Sequence, residues 1–308
     1  MTQTVLQSDV CIFCETSALK TLIPNNVLPE RLSVLKCPNC SLVFLESRTA
    51  SGELDREEAV YWDDGDQKKI YLEDKIQDLF AAEFESRLKT LEQYGPSKGK
   101  LLDVGCGVGH FLAIAEKQGW QAQGLDISQA ASQAAREVYG LDVQVGTLEN
   151  SNLPPNSFNA ITLWDVIEHI RRPIENVKAA NRLLLRGGII VLKTPNESGL
   201  FKQFVLMFYK IFGKRAAFLL KYVYYVPHYF SYSKQSMSVL LNRAGFEVIR
   251  YETGETPQEF AAEKIEVHYK KDPKHSKVIA FLPAARFFAR LFKRGNKMII
   301  YARKVREV

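Results

Sequence analysis

Four cysteines near the start of the chain have the spacing of a metal site. Two C-x-x-C pairs, CIFC and CPNC, provide Cys11, Cys14, Cys37 and Cys40. Two such pairs on tight turns can hold zinc tetrahedrally with four thiolates, which leaves no ligand position open for catalysis. We therefore expect a structural zinc ribbon over residues 1–48, in which the metal supplies much of the folding free energy.

A second group of residues could hold a nucleoside. The stretch LLDVGCGVGHFL contains Gly105, Gly107 and Gly109, and Asp126 follows at the end of the next apolar run. Glycines after a strand let a ligand approach the backbone, and a carboxylate on the second strand can accept hydrogen bonds from both hydroxyls of a ribose. The third glycine comes one residue early for the dinucleotide fingerprint. Alternatively, Asp126 helps Ser128 to cap the following helix.

A third group follows a predicted strand and has the spacing D-x-x-E-H. Asp165, Glu168 and His169 would share one face of a helical turn, where they could bind a divalent cation or exchange protons. His228, in VPHYFSYSKQSM, is a further candidate proton acceptor. The alternative is that Glu168 and His169 only cap helices and brace the sheet.

Positioning these groups requires alternating strands and helices. From Lys100 onward we predict strands at KLLDV, QAQGLD, DVQVG, FNAITLW, GIIVLKT, the end of SKQSMSVLLNRAGFEVIRYE and NKMIIYARK. Helices are predicted between them, one of which, PIENVKAANRLLLRGG, runs from Pro173 to Gly188. This alternation predicts a doubly wound α/β fold with a mostly parallel sheet. Residues 49–98 are predicted to be a helical linker.

Charge is distributed unevenly along a chain of ordinary globular composition. Residues 1–196 have a net charge of −6, whereas residues 197–308 have a net charge of +12. Such a basic region favours an anionic neighbour (a membrane surface, a phosphorylated substrate or nucleic acid), or it is a solvated face. The aromatic and basic segments at 197–232 and 281–295 could lie on an anionic membrane or pack over the active site. The start of the sequence lacks the apolar core of a signal peptide, so we expect a cytoplasmic protein with reduced cysteines.

Several stretches together resemble class I S-adenosylmethionine-dependent methyltransferases: LLDVGCGVGHFL, GLDIS, FNAITLWDVIEHI and GGIIVLKTPN. The resemblance implies a Rossmann-like, seven-stranded sheet with an antiparallel last strand, in a domain spanning residues 99–308 with an acceptor lid inserted at 197–232. It also implies S-adenosyl-L-methionine as the cofactor, contacted by Asp103, Gly105, Cys106, Gly107, Gly109, Asp126, Ile127, Thr147 and Leu148. Trp164 could stack on this cofactor, line the acceptor pocket or belong to the core.

The D-x-x-E-H spacing is similar to the E-x-x-E-H of ubiquinone-pathway O-methyltransferases and of small-RNA 2′-O-methyltransferases, which is associated with a divalent ion. Asp165 is one methylene shorter than the residue in that pattern, and His228 resembles the fourth ligand of the RNA enzymes. A zinc ribbon ahead of this domain resembles bacterial enzymes that modify sugars, envelope glycans or natural products.

We therefore expect a methyltransferase that acts on a small-molecule, sugar, glycan or lipid-linked intermediate, with a hydroxyl as the favoured target. One alternative is an RNA 2′-O-methyltransferase with a divalent metal at Asp165, Glu168 and His169. Nucleic acid is the less favoured partner, because the ribbon contains few basic residues. The other alternative is a non-catalytic, cofactor-binding scaffold whose zinc module recruits partners. Peripheral membrane contact through the basic aromatic segments is compatible with the enzyme hypothesis.

Overall fold

The structure is a computed structural model that describes residues 10–28, 32–46, 71–95, 97–224, 228–261 and 275–308, with residues 275–282 as backbone alone. Parts of the predicted segments lie outside the described residues. They are 1–9, 29–31 and 47–48 of the expected ribbon, 49–70 and 96 of the expected linker, 225–227 of the expected lid and 262–274 of the expected methyltransferase domain.

The described strands form two sheets, one of four strands and one of seven. The strands are β1 (Lys20–Ile23), β2 (Val34–Lys36), β3 (Val43–Leu45), β4 (Lys100–Val104), β5 (Gln121–Asp126), β6 (Asp142–Val145), β7 (Phe158–Trp164), β8 (Leu184–Pro195), β9 (Phe230–Ser231), β10 (Phe246–Gly254) and β11 (Lys297–Lys304).

The seven-stranded sheet has the order β10-β11-β8-β7-β4-β5-β6. The five strands from β8 to β6 in this order pair in parallel. The last strand of the chain, β11, is antiparallel to both of its neighbours. This arrangement confirms the predicted Rossmann-like sheet, mostly parallel with an antiparallel last strand.

Helices connect the strands and cover both faces of this sheet. They are α1 (Asp74–Tyr94), α2 (His110–Lys117), α3 (Gln129–Tyr139), α4 (Pro173–Leu183), α5 (Leu200–Phe212), α6 (Lys234–Arg243) and α7 (His275–Leu291). On one face, Leu88 of α1, Leu112 of α2 and Ala135 of α3 belong to one apolar core. On the other face, Ala180 of α4 and Leu241 of α6 belong to a second core.

The predicted helix boundary after α4 is wrong. The helix was expected to continue to Gly188, but it ends at Leu183 and β8 starts at the next residue. Leu184 pairs with Phe158 of β7, and the register of this pair of strands then shifts before Ile189. Strand pairing of the buried Leu184 therefore overrides its helical propensity, and Gly187, with φ at 78°, accommodates the irregularity.

The four-stranded sheet combines the cysteine module with the segment expected to be a lid. Strands β1, β2 and β3 form an antiparallel meander, and β9 pairs with the outer side of β3. The pairing joins Phe44 to Phe230 and Val43 to Ser231. The residue after β9, Tyr232, forms a parallel bridge to Asn196 at the end of β8. These backbone contacts join the small sheet to the large sheet at the carboxyl end of β8.

Candidate active site

The glycine loop lies between β4 and α2 and leaves no room for side chains. Gly105 and Gly109 have φ angles of 70° and 86°, values that favour glycine. A Cβ atom on Gly105 would lie 2.4 Å from Val166, and one on Gly109 would lie 2.4 Å from Leu141. The loop therefore packs directly against the segment that follows β7.

Asp126 ends β5 and holds this loop in place. Its Oδ2 accepts a 2.7 Å hydrogen bond from the backbone N–H of Gly107, and its Oδ1 accepts a 2.8 Å bond from the N–H of Ser128. Burial raises the pKa of Asp126, and these two bonds partly offset that rise. Ser128 itself caps α3 through Ala131. Since each carboxylate oxygen has two lone pairs, both oxygens keep an acceptor position for a ligand.

An apolar shelf lies beside Asp126 at the carboxyl ends of β5 and β6. Ile127 is 43% exposed and Val145 is 48% exposed, and the register places Asp126 opposite Val145. Exposed aliphatic side chains next to a buried carboxylate suit a ligand with a flat apolar ring joined to a polyol. Thr147 follows this shelf half-buried, whereas Leu148 is buried in the core.

Two further predicted cofactor residues are buried: Asp103, near the end of β4, and Cys106, within the loop. Asp103 accepts a 2.6 Å hydrogen bond from the hydroxyl of Thr162, and its burial raises its pKa well above the usual range. Cys106 packs over Gly124, where a Cβ would lie 2.7 Å from its sulfur. Burial and the charges of Asp126 and Asp103 raise the pKa of Cys106, which therefore stays a thiol. The surroundings of Cys106 indicate that its side chain serves to pack the loop against β5.

Trp164 ends β7 within an aromatic cluster. Its ring centroid lies 4.9 Å from that of Phe111 and 5.7 Å from that of Phe84. Its indole Nε1 is buried and has no hydrogen-bond partner in the described part of the chain. A buried donor without a partner costs about 1–3 kcal/mol, so this N–H is poised for a ligand acceptor.

The turn after β7 brings together a carboxylate and two imidazoles. Glu168 and His169 lie on a 3-10 turn, Ile167–His169, and His228 approaches from the segment before β9. The ligating atoms of Glu168, His169 and His228 all lie within 4.8 Å of one another. Glu168 accepts a hydrogen bond from Thr194, but its Oε1 is buried and unpartnered among the described residues. One carboxylate and two imidazoles form a donor set that suits a divalent transition metal.

Asp165 pairs with a lysine and does not join Glu168 and His169 as expected. Its Oδ1 is 2.5 Å from the ammonium of Lys297 on β11, and the Glu168 cluster does not include it. The structure therefore brings His228, the expected fourth ligand, to Glu168 and His169 and leaves Asp165 outside their cluster. Asp165 has a φ of 58°, a backbone conformation that Asp tolerates better than Glu, which accounts for the shorter side chain. No sequence signal pointed to Lys297, because only the pairing of β11 with β8 brings it here.

The environment of Glu168 perturbs its protonation. Burial, and then the charge of Asp165, raise the pKa of Glu168 to about 7, although His169 and Lys297 oppose the rise. A carboxyl group with this pKa, beside two imidazoles at the carboxyl edge of a parallel sheet, lies where such sheets bind ligands. The cluster can therefore bind a cation or take a proton from a substrate hydroxyl.

The four cysteines of the ribbon also converge. The sulfurs of Cys11 and Cys40 are 3.5 Å apart and those of Cys14 and Cys37 are 3.3 Å apart, and all four lie within 4.8 Å of one another. Tetrahedral zinc with bonds of about 2.3 Å would separate its sulfurs by about 3.8 Å. A hydrogen bond from Cys40 lowers the pKa of Cys11 to about 5, whereas burial raises the pKa of Cys14 to about 11. Only a cation would keep all four groups ionised, so the cluster fits a structural zinc ion.

A cleft opens between the small sheet and the end of β8. Its walls come from the ribbon, from the residues around β9 and from the start of the segment after β8. They are Val34, Val43, Phe44, Leu45, Pro195, Lys202, Val223, Tyr224, His228, Tyr229 and Ser231. His228 belongs both to this cleft and to the Glu168 cluster.

This sheet order, with a glycine loop after β4 and an acidic residue at the end of β5, defines the class I methyltransferase fold. Residues 72–251 match the family model described as Methyltransferase domain, and the chain belongs to this family. The resemblance inferred from the sequence is thereby confirmed.

Curated relatives of the chain include two ubiquinone biosynthesis O-methyltransferases. The protein of Alkalilimnicola ehrlichii is 34% identical over 107 residues, which cover 32% of this chain and 42% of that protein. The protein of Albidiferax ferrireducens is 30% identical over 129 residues, which cover 39% and 50%. The chain thus spans about half the length of the curated relatives that it matches.

A solved structure shares the fold. The complex between the Haloferax volcanii Trm112 methyltransferase activator and a methyltransferase contains a chain that superposes with a TM-score of 0.51. The match covers 78% of this chain and 99% of that chain at 14% sequence identity. At this identity the similarity concerns the fold alone.

Proposed function

We propose that the protein transfers a methyl group from S-adenosyl-L-methionine to a hydroxyl of a small-molecule acceptor. The observation that carries this proposal is the contact between the glycine loop and the turn with the Glu168 cluster, where Gly105 packs against Val166. A donor bound over the loop would therefore lie beside groups that can take a proton. The names of the curated relatives support a hydroxyl as the acceptor group.

The residues around the loop fit the donor. The Asp126 carboxylate would accept from the ribose hydroxyls, Ile127 would contact the adenine, and the unpartnered Trp164 N–H would donate to the amino-acid end. Asp103 is buried under the loop and would act on the cofactor by positioning Gly105 or through water. When bound, the sulfonium supplies an activated methyl group, so alignment of the acceptor accounts for most of the catalysis.

The Glu168 cluster would prepare the acceptor. Glu168, His169 and His228 would hold a divalent cation, which when bound would lower the pKa of an acceptor hydroxyl. Without the cation, the imidazole of His228 or His169 would accept the hydroxyl proton. With the cation bound, both imidazoles would be its ligands, and the proton of the acidified hydroxyl would pass to solvent. Lys297 neutralises Asp165 and so keeps a second negative charge away from the reacting oxygen.

Two helices with exposed apolar residues support a contact with an anionic membrane. Helices α5 and α7 pack against each other. The exposed apolar side chains on them and on the residue after α7 are Met207, Ile211, Phe212, Phe287, Phe288, Leu291 and Phe292. Exposed basic residues surround them, whereas residues 198–246 and 273–306 contain no Asp or Glu. None of the described helices is long and apolar enough to cross a bilayer. This composition suits a helix pair that lies in a lipid headgroup region.

The proposed function is tested with zinc-loaded full chain. Calorimetry should detect binding of S-adenosylhomocysteine, and labelled methyl groups should pass from the donor to an alkylated catechol such as 4-hexylcatechol. The variants His169→Ala and His228→Ala should lose transfer but keep product binding, whereas Lys178→Ala on the exposed side of α4 should change neither. Transfer to RNA 2′-hydroxyls but not to the catechol would overturn the small-molecule assignment. Binding of S-adenosylhomocysteine without transfer to any acceptor would favour a scaffold.

A further inference from the structure

We propose that the zinc ribbon forms one wall of the acceptor site and that its strand β3 contacts an apolar body of the acceptor. This inference rests on the proposed function, because it concerns the molecule that receives the methyl group. It assigns to the ribbon a direct role in substrate binding, in addition to its own folding.

One cleft contains residues of the ribbon and of the candidate catalytic cluster. Phe44 and Leu45 of β3 line the same cleft as His228, and His228 belongs to the Glu168 cluster. A molecule that enters between these side chains would touch both the ribbon and the imidazole. His228 thus joins the ribbon wall to the Glu168 cluster.

Backbone pairing with the ribbon strand β3 positions the segment that bears His228. The N–H of Leu45 donates a 3.1 Å hydrogen bond to the carbonyl of Tyr229, the residue after His228. Together with the pairing of β3 and β9, this bond fixes the backbone that bears the imidazole. Loss of the ribbon would therefore release His228 as well as remove the wall.

The first zinc knuckle is packed against the turn that bears Glu168. Phe13 stacks on Tyr232, and the hydroxyl of Tyr232 donates a 3.2 Å hydrogen bond to the carbonyl of Ile167. Cys11, Phe13 and Ile167 belong to one apolar core. Gln235 and Arg243 of α6 bind the ribbon backbone at Asn39 and Phe13. The ribbon is therefore built into the methyltransferase domain.

The chemistry of the cleft indicates the class of acceptor. Its polar side chains already bind one another: the Lys202 ammonium lies 2.7 Å from Glu197 and 2.6 Å from the Ser231 hydroxyl. The Tyr224 hydroxyl donates to Glu197, and the Tyr229 hydroxyl accepts a hydrogen bond from Arg171. The ribbon side offers valine, leucine and phenylalanine. A sugar would find few partners here, so the cleft suits a hydroxylated acceptor with an apolar ring or chain.

Direct binding to zinc-loaded full chain, saturated with S-adenosylhomocysteine, tests the inference. The probe is 4-hexylcatechol, the polar comparison is methyl glucoside, and affinity is measured by calorimetry. Phe44→Ala and Leu45→Ala should each weaken probe binding about tenfold, since each removes an apolar contact. Phe44→Leu should recover part of the loss. Leu22→Ala, a truncation on β1 outside the cleft, should stay within about twofold of the original chain, and all variants should bind S-adenosylhomocysteine equally well.

Three outcomes would overturn the inference. They are no saturable binding of 4-hexylcatechol, tighter binding of methyl glucoside than of the catechol, and Phe44→Ala and Leu45→Ala affinities equal to that of Leu22→Ala. If the chain binds the catechol through Phe44 but never methylates it or any other hydroxyl, the proposed function fails while the cleft assignment stands.

Discussion

Phe13 of the first zinc knuckle stacks on Tyr232, with ring centroids 6.2 Å apart and ring planes inclined by 25°. Tyr232 is fully buried and its hydroxyl binds the backbone one residue before Glu168. Through these contacts the ribbon supports the candidate catalytic turn.

Removal of zinc should unfold the ribbon and impair the acceptor site more than the cofactor site. The apolar residues of the ribbon share their cores with the methyltransferase domain, so the metal is what holds the two cysteine turns to each other. After chelation, a thiol reagent should label Cys11, Cys14, Cys37 and Cys40, and the unfolding temperature should fall. The affinity for S-adenosylhomocysteine should change by less than about threefold. Readdition of zinc should reverse the labelling, and thiols that are equally unreactive before and after chelation would contradict a zinc site.

Loss of the Asp126 carboxylate should weaken cofactor binding. Asp126→Ala removes a charged acceptor for the ribose and leaves the N–H groups of Gly107 and Ser128 without their partner. Affinity for S-adenosylhomocysteine should fall at least about tenfold, because hydrogen bonds to a charged group contribute about 1.5–3 kcal/mol. Calorimetry measures the change, and Asp142→Ala on the exposed start of β6 provides the control. An unchanged affinity in Asp126→Ala would remove the ribose assignment.

Neutralising Glu168 should separate catalysis from cofactor binding. Glu168→Gln keeps the hydrogen-bonding shape towards Thr194 but removes the charge beside the two imidazoles. We expect kcat to fall by about 10²–10⁴, the range for loss of a proton-transfer or cation-binding group. Binding of S-adenosylhomocysteine should stay within about twofold. Manganese or zinc titrations should show weaker binding at this second site, measured in a chain whose ribbon is already loaded. Full activity in Glu168→Gln would assign the residue a purely structural role.

The ion pair between Lys297 and Asp165 should matter more for activity than for stability. Asp165 is partly exposed, so loss of the pair should cost at most about 1 kcal/mol of unfolding free energy. Lys297→Met removes the ammonium that pairs with Asp165 next to Glu168, and methyl transfer should fall several-fold. Lys297→Arg should restore most of it. Denaturant unfolding and initial rates measure both effects, and equal losses in the Met and Arg variants would indicate simple misfolding.

The exposed aromatic residues at the end of α7 should drive membrane partitioning. Phe287 on α7 and Phe292, the residue after it, are 65% and 60% exposed. The double change Phe287→Ser/Phe292→Ser should reduce sedimentation with phosphatidylglycerol vesicles about tenfold or more, since each buried ring contributes about 1.5–3 kcal/mol. Binding should weaken at high salt and in phosphatidylcholine vesicles. Val138→Ser, at an equally exposed position on α3, is the control. Original chain that stays in the supernatant with both lipids would contradict the membrane contact.

Local patterns in the sequence determined much of the fold and of the cofactor site. Alternating apolar runs and capped helices predicted the parallel sheet, because the apolar period of each element and the residues that end it are local features of the sequence. Gly105 and Asp126 could be recognised because a loop after one strand and a residue at the end of the next always meet at the same sheet edge. The C-x-x-C pairs were visible because each knuckle is a local turn.

Tertiary structure alone decided which side chains meet across long stretches of chain. Nothing in the sequence around Asp165 pointed to Lys297, which arrives through the register of β11 against β8. His228 joins Glu168 and His169 because β9 pairs with the ribbon strand β3, and strand pairing between distant segments depends on the packing of the whole chain. The ribbon therefore looked like a separate module in the sequence, whereas its Phe13 ring and its strand β3 pack against the segment that contains Tyr232 and β9.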